Sequence, residues 1–397
     1  MVWNFPLIIA LLFPLALARE PEVEVRVLVE EGTALRVAPV EGRLLLQAAN
    51  GRSLAAVAGG LTLRAESGEI SGLPSGAIAE LWISPESPNG SLWLQQRRYR
   101  GRLQLLLHRG RIQAINRLGI ESYLPSVVGA EMPHQWPQEA LRVQSVAARS
   151  YALRQLRPEA DYDLKATVSS QVYRGLESET DSTREAVAST RSLVLTHAKR
   201  IIDAVFHSSS GGRTENSGEV WPRQVPYLKS VADYDQDSPV FRWTKQFDAA
   251  ALLNSFRETG GVDSILPLKT TSTGRLTEVL VRGPQGDLRL GAAELRSRLG
   301  LRSTFVRFEV LAAPPAPLEA LGDWLGIPLG MPLGMSPTPR LLALGRGYGH
   351  GVGMSQWGAY GMALQGQEFA QILRHYYRGT QLEPYSSVDW PQLPPNP

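Results

Sequence analysis

Between Val23 and Asn116, apolar residues recur at every second position in short runs separated by Gly, Asn and Ser. The runs Val23–Val29, Arg43–Gln47, Leu61–Arg64, Leu103–His108 and Ile112–Asn116 each carry this alternation. Side chains two apart share one face of a strand, so the pattern predicts antiparallel strands and hairpins. The stretch Gly68 to Gly90 is rich in Gly, Pro and Ser and is expected to contain a long loop.

The period changes at Gly119. Ile120, Tyr123, Leu124, Val127 and Val128 stand at helical spacing, and Pro133 requires the helix to stop by Met132. Pro137 opens a second helix, which runs to about Arg157 with Ala140, Val143, Ala147 and Tyr151 on one face, and Pro158 ends it. Strands and short helices alternate from Val168 to Phe206. Asn254 to Phe308 predicts a helix, two strand-like runs and a helix at Ala292–Arg298. The Pro-, Gly- and Leu-dense run Pro314–Pro339 predicts a loop or peripheral insertion. Beyond it come a strand at Leu341–Leu344, a glycine-rich loop, and a helix presenting Phe369, Ile372, Leu373 and Tyr376, capped by Gly379. The fold class is therefore α+β, a strand-rich part leading into a mixed α/β domain with an inserted or peripheral subdomain. The expected divisions are 1–18, 19–94, 95–383 with 244–340 as the insertion, and a flexible tail at 384–397.

Composition sharpens this reading. With 43% hydrophobic residues in 397, the chain can bury a sizeable core. Residues 1–18 resemble a secretory signal with a small-x-small site at Ala16-Leu17-Ala18, which implies export to the cell envelope; a membrane tie is expected only if that segment is uncleaved. The absence of cysteine excludes disulfides, thiolate catalysis and thiolate metal sites. A net charge of +3 calls for no nucleic-acid partner. The histidines, at 108, 134, 197, 207, 350 and 375, form no metal-binding spacing, so neither metal nor cofactor is expected, although His207 and His350 could meet in space.

Three clusters carry candidate chemistry. Glu131 stands at the end of the first predicted helix, followed by Met132, Pro133 and Trp136 as an apolar wall. Desolvation and the negative helix end would both keep such a carboxyl protonated, as a general acid requires. The residues alone favour the plainer reading, a surface glutamate near a helix end. The second cluster is Phe206-His-Ser-Ser-Ser-Gly-Gly-Arg-Thr-Glu215, a hydroxyl- and glycine-rich turn without a nucleophile elbow. The third, Gly345 to Gly361, alternates glycine with Tyr348, His350 and Trp357, with Ser355 as a helix N-cap; it matches no nucleotide loop.

Taken in order, Leu118–Pro133, Trp136–Leu153, Gln171–Gly175, Phe206–Glu215, and Gly345–Ala363 with His375–Thr380 resemble the stage II sporulation protein D family (SpoIID/LytB). The resemblance implies a lytic transglycosylase acting on peptidoglycan glycan strands stripped of their stem peptides, with Glu131 of the Glu-Met-Pro motif as acid and base. The alternative it implies is a non-catalytic, glycan-binding enhancer whose partner is a cell-wall amidase. Arg149 and Arg346 are the candidates for the lactyl carboxylate of muramic acid, and Tyr151, Tyr348 and Trp357 for sugar stacking. His207, Ser208, Ser209, His350 and Gln356 complete the expected substrate-binding set. Some members carry a zinc site built on cysteines, which this chain lacks.

Overall fold

The computed structural model describes residues 22–311 and 339–388. The expected signal at 1–18, nearly all of the Pro314–Pro339 run and the last part of the tail lie outside them. Among the described residues, no helix is long and apolar enough to cross a membrane.

The fold is α+β. Strands β1 (Glu24–Gly32), β2 (Ala34–Pro39), β3 (Leu44–Ala48), β4 (Ser53–Val57), β5 (Leu61–Glu66), β6 (Glu69–Ser71), β7 (Glu80–Pro85), β8 (Ser91–Leu94), β9 (Arg97–Arg100), β10 (Arg102–His108) and β11 (Arg111–Gly119) follow the alternating pattern. They form two sheets. One has the order β1-β11-β10-β7-β3-β4, extended beyond β1 by Leu164–Lys165; the other has the order β6-β5-β2-β8-β9. Val25, Val27, Leu44 and Leu46 of the first share an apolar core with Leu35, Val37, Leu63 and Leu92 of the second. One expectation is refined here and one corrected. The stretch Gly68–Gly90 contains β6 and β7, and β7 lies in mid-sheet between β10 and β3 because Leu81 and Ile83 alternate into the core. Since β10 and β11 sit between β7 and β1, the strand-rich unit extends to Gly119 rather than ending at 94.

Strand β11 passes directly into helix α1 (Ile120–Glu131). The Glu22 carboxylate accepts from the backbone N–H groups of Glu121 and Ser122, satisfying free donors of the first turn. The whole stripe from Ile120 to Val128 is buried. Helix α2 (Gln138–Arg154) crosses it, locked by a bidentate ion pair from Arg149 to Glu121 at 2.9 and 2.7 Å, with Arg149 0% exposed. Helices α3 (Asp181–Ser189) and α4 (Ser217–Val220) follow.

A second apolar core, from Trp243 to Ala343, lies beneath helices α5 (Ala249–Ser255) and α6 (Ala292–Leu299) and two three-stranded sheets. The chain returns through Pro339–Arg346 to helices α7 (Gln356–Leu364) and α8 (Phe369–Tyr376). The tail is packed further than expected. Gln381–Pro384 pairs with Leu193–His197, and Tyr385 and Val388 are buried.

Candidate functional site

The serine-rich turn and the glycine-rich loop, about 140 residues apart in sequence, are zipped together into one wall. Phe206-His207 pairs in parallel with Met354-Ser355, and Ser209 exchanges both backbone hydrogen bonds with Tyr348 at 3.1 and 2.7 Å. Further along, Glu215 N–H donates to Gly351 C=O at 2.8 Å. Two glycines show why this approach admits no side chain. Gly349 has φ +110, and a Cβ there would meet His207 Cβ at 2.8 Å; Gly351 has φ +83, and a Cβ would meet Arg275 Cζ at 2.6 Å. Two hydroxyls of the turn are structural. Ser209 and Ser210 each donate to a buried carboxylate, Asp235 and Asp233 respectively, at 2.5 Å.

Opposite this wall stands Glu131, the last residue of α1. Together they bound a cleft of about 600 Å³, lined also by Tyr151, Val168–Ser170, Val205–Ser208, Trp221, Arg296, Tyr348–His350 and Gln356. Glu131 is half-buried. Burial raises its pKa above the ordinary carboxylate value, against the Val172 N–H, which donates to Oε1 at 2.9 Å, and Gln356 Nε2, which donates to Oε2 at 3.2 Å. Ser355 caps α7 by accepting from the Gly358 N–H at 3.2 Å, and so places Gln356 at the helix start facing Glu131. The same Gln356 nitrogen lies 3.4 Å from Oε1 of the fully buried Gln144. Burial thus favours the protonated acid, while the two donors on its oxygens favour the conjugate base.

Both cleft histidines are held neutral. His350 donates through Nε2 to Phe206 C=O at 3.0 Å and accepts the Val352 N–H on Nδ1 at 3.1 Å; burial brings its pKa down to about 4. His207 donates through Nδ1 to Val352 C=O at 3.1 Å, and burial, aided by His350 and Arg275, holds it well below its ordinary value. Their rings do meet, with centroids 5.4 Å apart. No group of three or more metal-ligating side chains occurs among the described residues.

The cleft thus gathers Glu131, Tyr151, His207, Ser208, Tyr348, His350 and Gln356 of the expected residues. Four others are placed elsewhere. Arg149 is buried on Glu121, where the helix pair needs its charge. Ser209 is fully buried on Asp235. Arg346 lies in a separate concavity with Arg242, Trp243 and Phe305. Trp357 packs at 4.8 Å on Trp136, which also contacts Tyr360, so Trp136 belongs to that aromatic cluster rather than to a wall around Glu131. Sequence reasoning missed Trp221, 36% exposed with its ring 5.2 Å from His350, and Arg296 of the inserted lobe. Neither stands in a distinctive local pattern. Val172 acts through its main chain, which no side-chain motif reports.

The SpoIID family model, described as stage II sporulation protein, matches residues 108–197, which contain α1, α2 and Glu131. That match defines the class, a SpoIID-domain protein. The stage II sporulation protein D of Bacillus subtilis (strain 168) is 29% identical over 295 residues, covering 68% of this chain and 76% of that one. An amidase enhancer of the same organism is 31% identical over 291 residues, covering 66% of this chain but 40% of its own length. An uncharacterised protein of Brachyspira hyodysenteriae is 29% identical over 294 residues, 73% of this chain and 74% of its own. The chain thus carries a SpoIID match over residues 108–197 and is similar to stage II sporulation protein D over about two thirds of its length.

Proposed function

We propose that this protein is a lytic transglycosylase that cleaves peptide-stripped peptidoglycan strands between N-acetylmuramic acid and N-acetylglucosamine. The SpoIID match and the similar relatives support the coarser statement, a role at the cell wall. The observation that carries the finer one is Glu131, a carboxylic acid of raised pKa in an open cleft whose described lining contains no second carboxylate. Glu131 gives its proton to the bridging oxygen as the bond to the muramic C1 breaks. The C6 hydroxyl of the same muramic residue forms the new bond to C1, and its proton returns to the Glu131 carboxylate. The product is a 1,6-anhydro end, and no water is consumed. An internal nucleophile gains from proximity, so the paired carboxylates of a glycoside hydrolase are not required. The N–H groups of Val172 and Gln356 stabilise the carboxylate between the two proton transfers. Trp221 and Tyr348, 36% and 47% exposed, offer ring faces to sugars.

A second reading is favoured by one finding, the similarity to an amidase enhancer. In it the same cleft holds glycan and cleaves nothing. Glu131→Gln separates the two. On peptide-stripped glycan the transglycosylase reading expects the variant to sediment with the strands as wild type does, while anhydro-muramic ends fall by at least about 100-fold. Equal end formation by both proteins, or none by either, rejects it.

A further inference from the structure

The residues expected to meet a substrate carboxylate do not reach the cleft, and a different arginine does. Arg296 projects from α6 in the inserted lobe and is the sole Lys or Arg among the residues lining the cleft. Leu295 and Leu299 on the same helix anchor it in the second core. Arg296 Nε donates to Leu301 C=O at 3.2 Å, which fixes the guanidinium plane and leaves the two terminal nitrogens for other partners. Among the described residues Arg296 makes no ion pair, whereas Arg298, two positions on, meets both Glu258 and Glu294, and buried Arg275 meets Glu215. A half-buried, oriented, unpaired guanidinium facing an open cleft is a site for a planar anion.

We propose that Arg296 forms a carboxylate subsite, which takes the lactyl carboxylate of an N-acetylmuramic residue whose stem peptide has been removed. The inference rests on the glycan reading of the cleft and adds a cause for its selectivity. A stem peptide converts that carboxylate into an amide, which removes the charge and one acceptor oxygen together. A stripped strand therefore carries one anion per disaccharide that an intact strand lacks. Glu131 and Arg296 come from different lobes, so the subsite would also set which residue of the strand lies over the acid.

The test measures binding to the full chain carrying Glu131→Gln, so that no strand is cut, with and without Arg296→Gln. Three tetrasaccharides are titrated: the N-acetylglucosamine–N-acetylmuramic acid repeat with free lactyl carboxylates, the same repeat with those groups converted to methylamides, and chitotetraose. The free acid should bind about tenfold more tightly than the other two, with a preference that shrinks in high salt. Arg296→Gln should remove the preference and leave chitotetraose binding unchanged, which also shows that the variant is folded; Arg296→Lys should retain part of it. Equal binding of all three sugars by the parent overturns the subsite while the glycan reading stands. So does a preference that survives Arg296→Gln. Failure of all three to bind overturns the glycan reading and the subsite together.

Discussion

Gln356 Nε2 lies 3.2 Å from Glu131 Oε2, across 225 residues of sequence. The contact joins the end of α1 to the start of α7, and with Val172 it supplies a donor to each carboxylate oxygen. Burial raises the acid's pKa and these donors oppose the rise.

The first expectation follows from that balance. Gln356→Ala removes a donor that favours the carboxylate, so the pKa of Glu131 rises further. Activity that needs the protonated acid falls as pH rises through that pKa, so the descending limb of kcat/KM moves to higher pH. The maximum should drop about tenfold, because the conjugate base loses a stabilising bond. A pH–rate profile whose limb stays in place would contradict the role given to Gln356.

His350 carries a stability cost with a defined sign. Its pKa in the fold is about 4, against 6.5 ordinarily, so between these values the unfolded chain binds more protons than the native one. Stability is then fully present above 6.5 and declines as pH falls toward 4, by at most roughly 3 kcal/mol. His350→Gln should flatten this decline in urea unfolding measured between pH 7 and 4. An unchanged slope would show that the imidazole does not stay neutral in the fold.

Arg275 and Glu215 tie the inserted lobe to the wall of the cleft. They lie 3.1 Å apart with exposures of 1% and 0%, and Arg275 also donates to Ser210 C=O at 2.7 Å and Gly349 C=O at 3.3 Å. Burial dominates both groups, lowering the pKa of Arg275 and raising that of Glu215, so pairing only partly offsets desolvation. Removing one partner leaves the other charge buried, and Glu215→Gln should cost about 3–5 kcal/mol in denaturant unfolding. Adding Arg275→Met should recover part of the loss, since the double change removes the stranded guanidinium. A double variant as unstable as the sum of the single ones would refute the coupling.

Much of this architecture was legible before any coordinates. Strands β1, β3, β5, β10 and β11 and the helices α1, α2 and α8 obey the periods of their own apolar residues, which local geometry enforces. Strand β7 was hidden because its core residues, Leu81 and Ile83, sit in a stretch whose flanks read as turn. At the site, Glu131, Tyr348 and His350 stood out through unusual neighbours. The roles of Arg149 and Arg346 did not follow from residue type, because an arginine serves a buried helix pair or a ligand equally well and tertiary partners decide. Arg296 and Trp221 were invisible for the complementary reason. Each lies in an unremarkable local sequence, and only the packing of the lobes carries it to the cleft.

The most direct test of the central claim is digestion of purified, peptide-stripped glycan by the wild-type protein in water enriched in ¹⁸O, with mass analysis of the released ends. The intramolecular route expects anhydro-muramic ends, lighter by one water than reducing ends and free of label. Reducing ends carrying ¹⁸O would establish hydrolysis instead, and no new ends at all would leave the cleft a binding site.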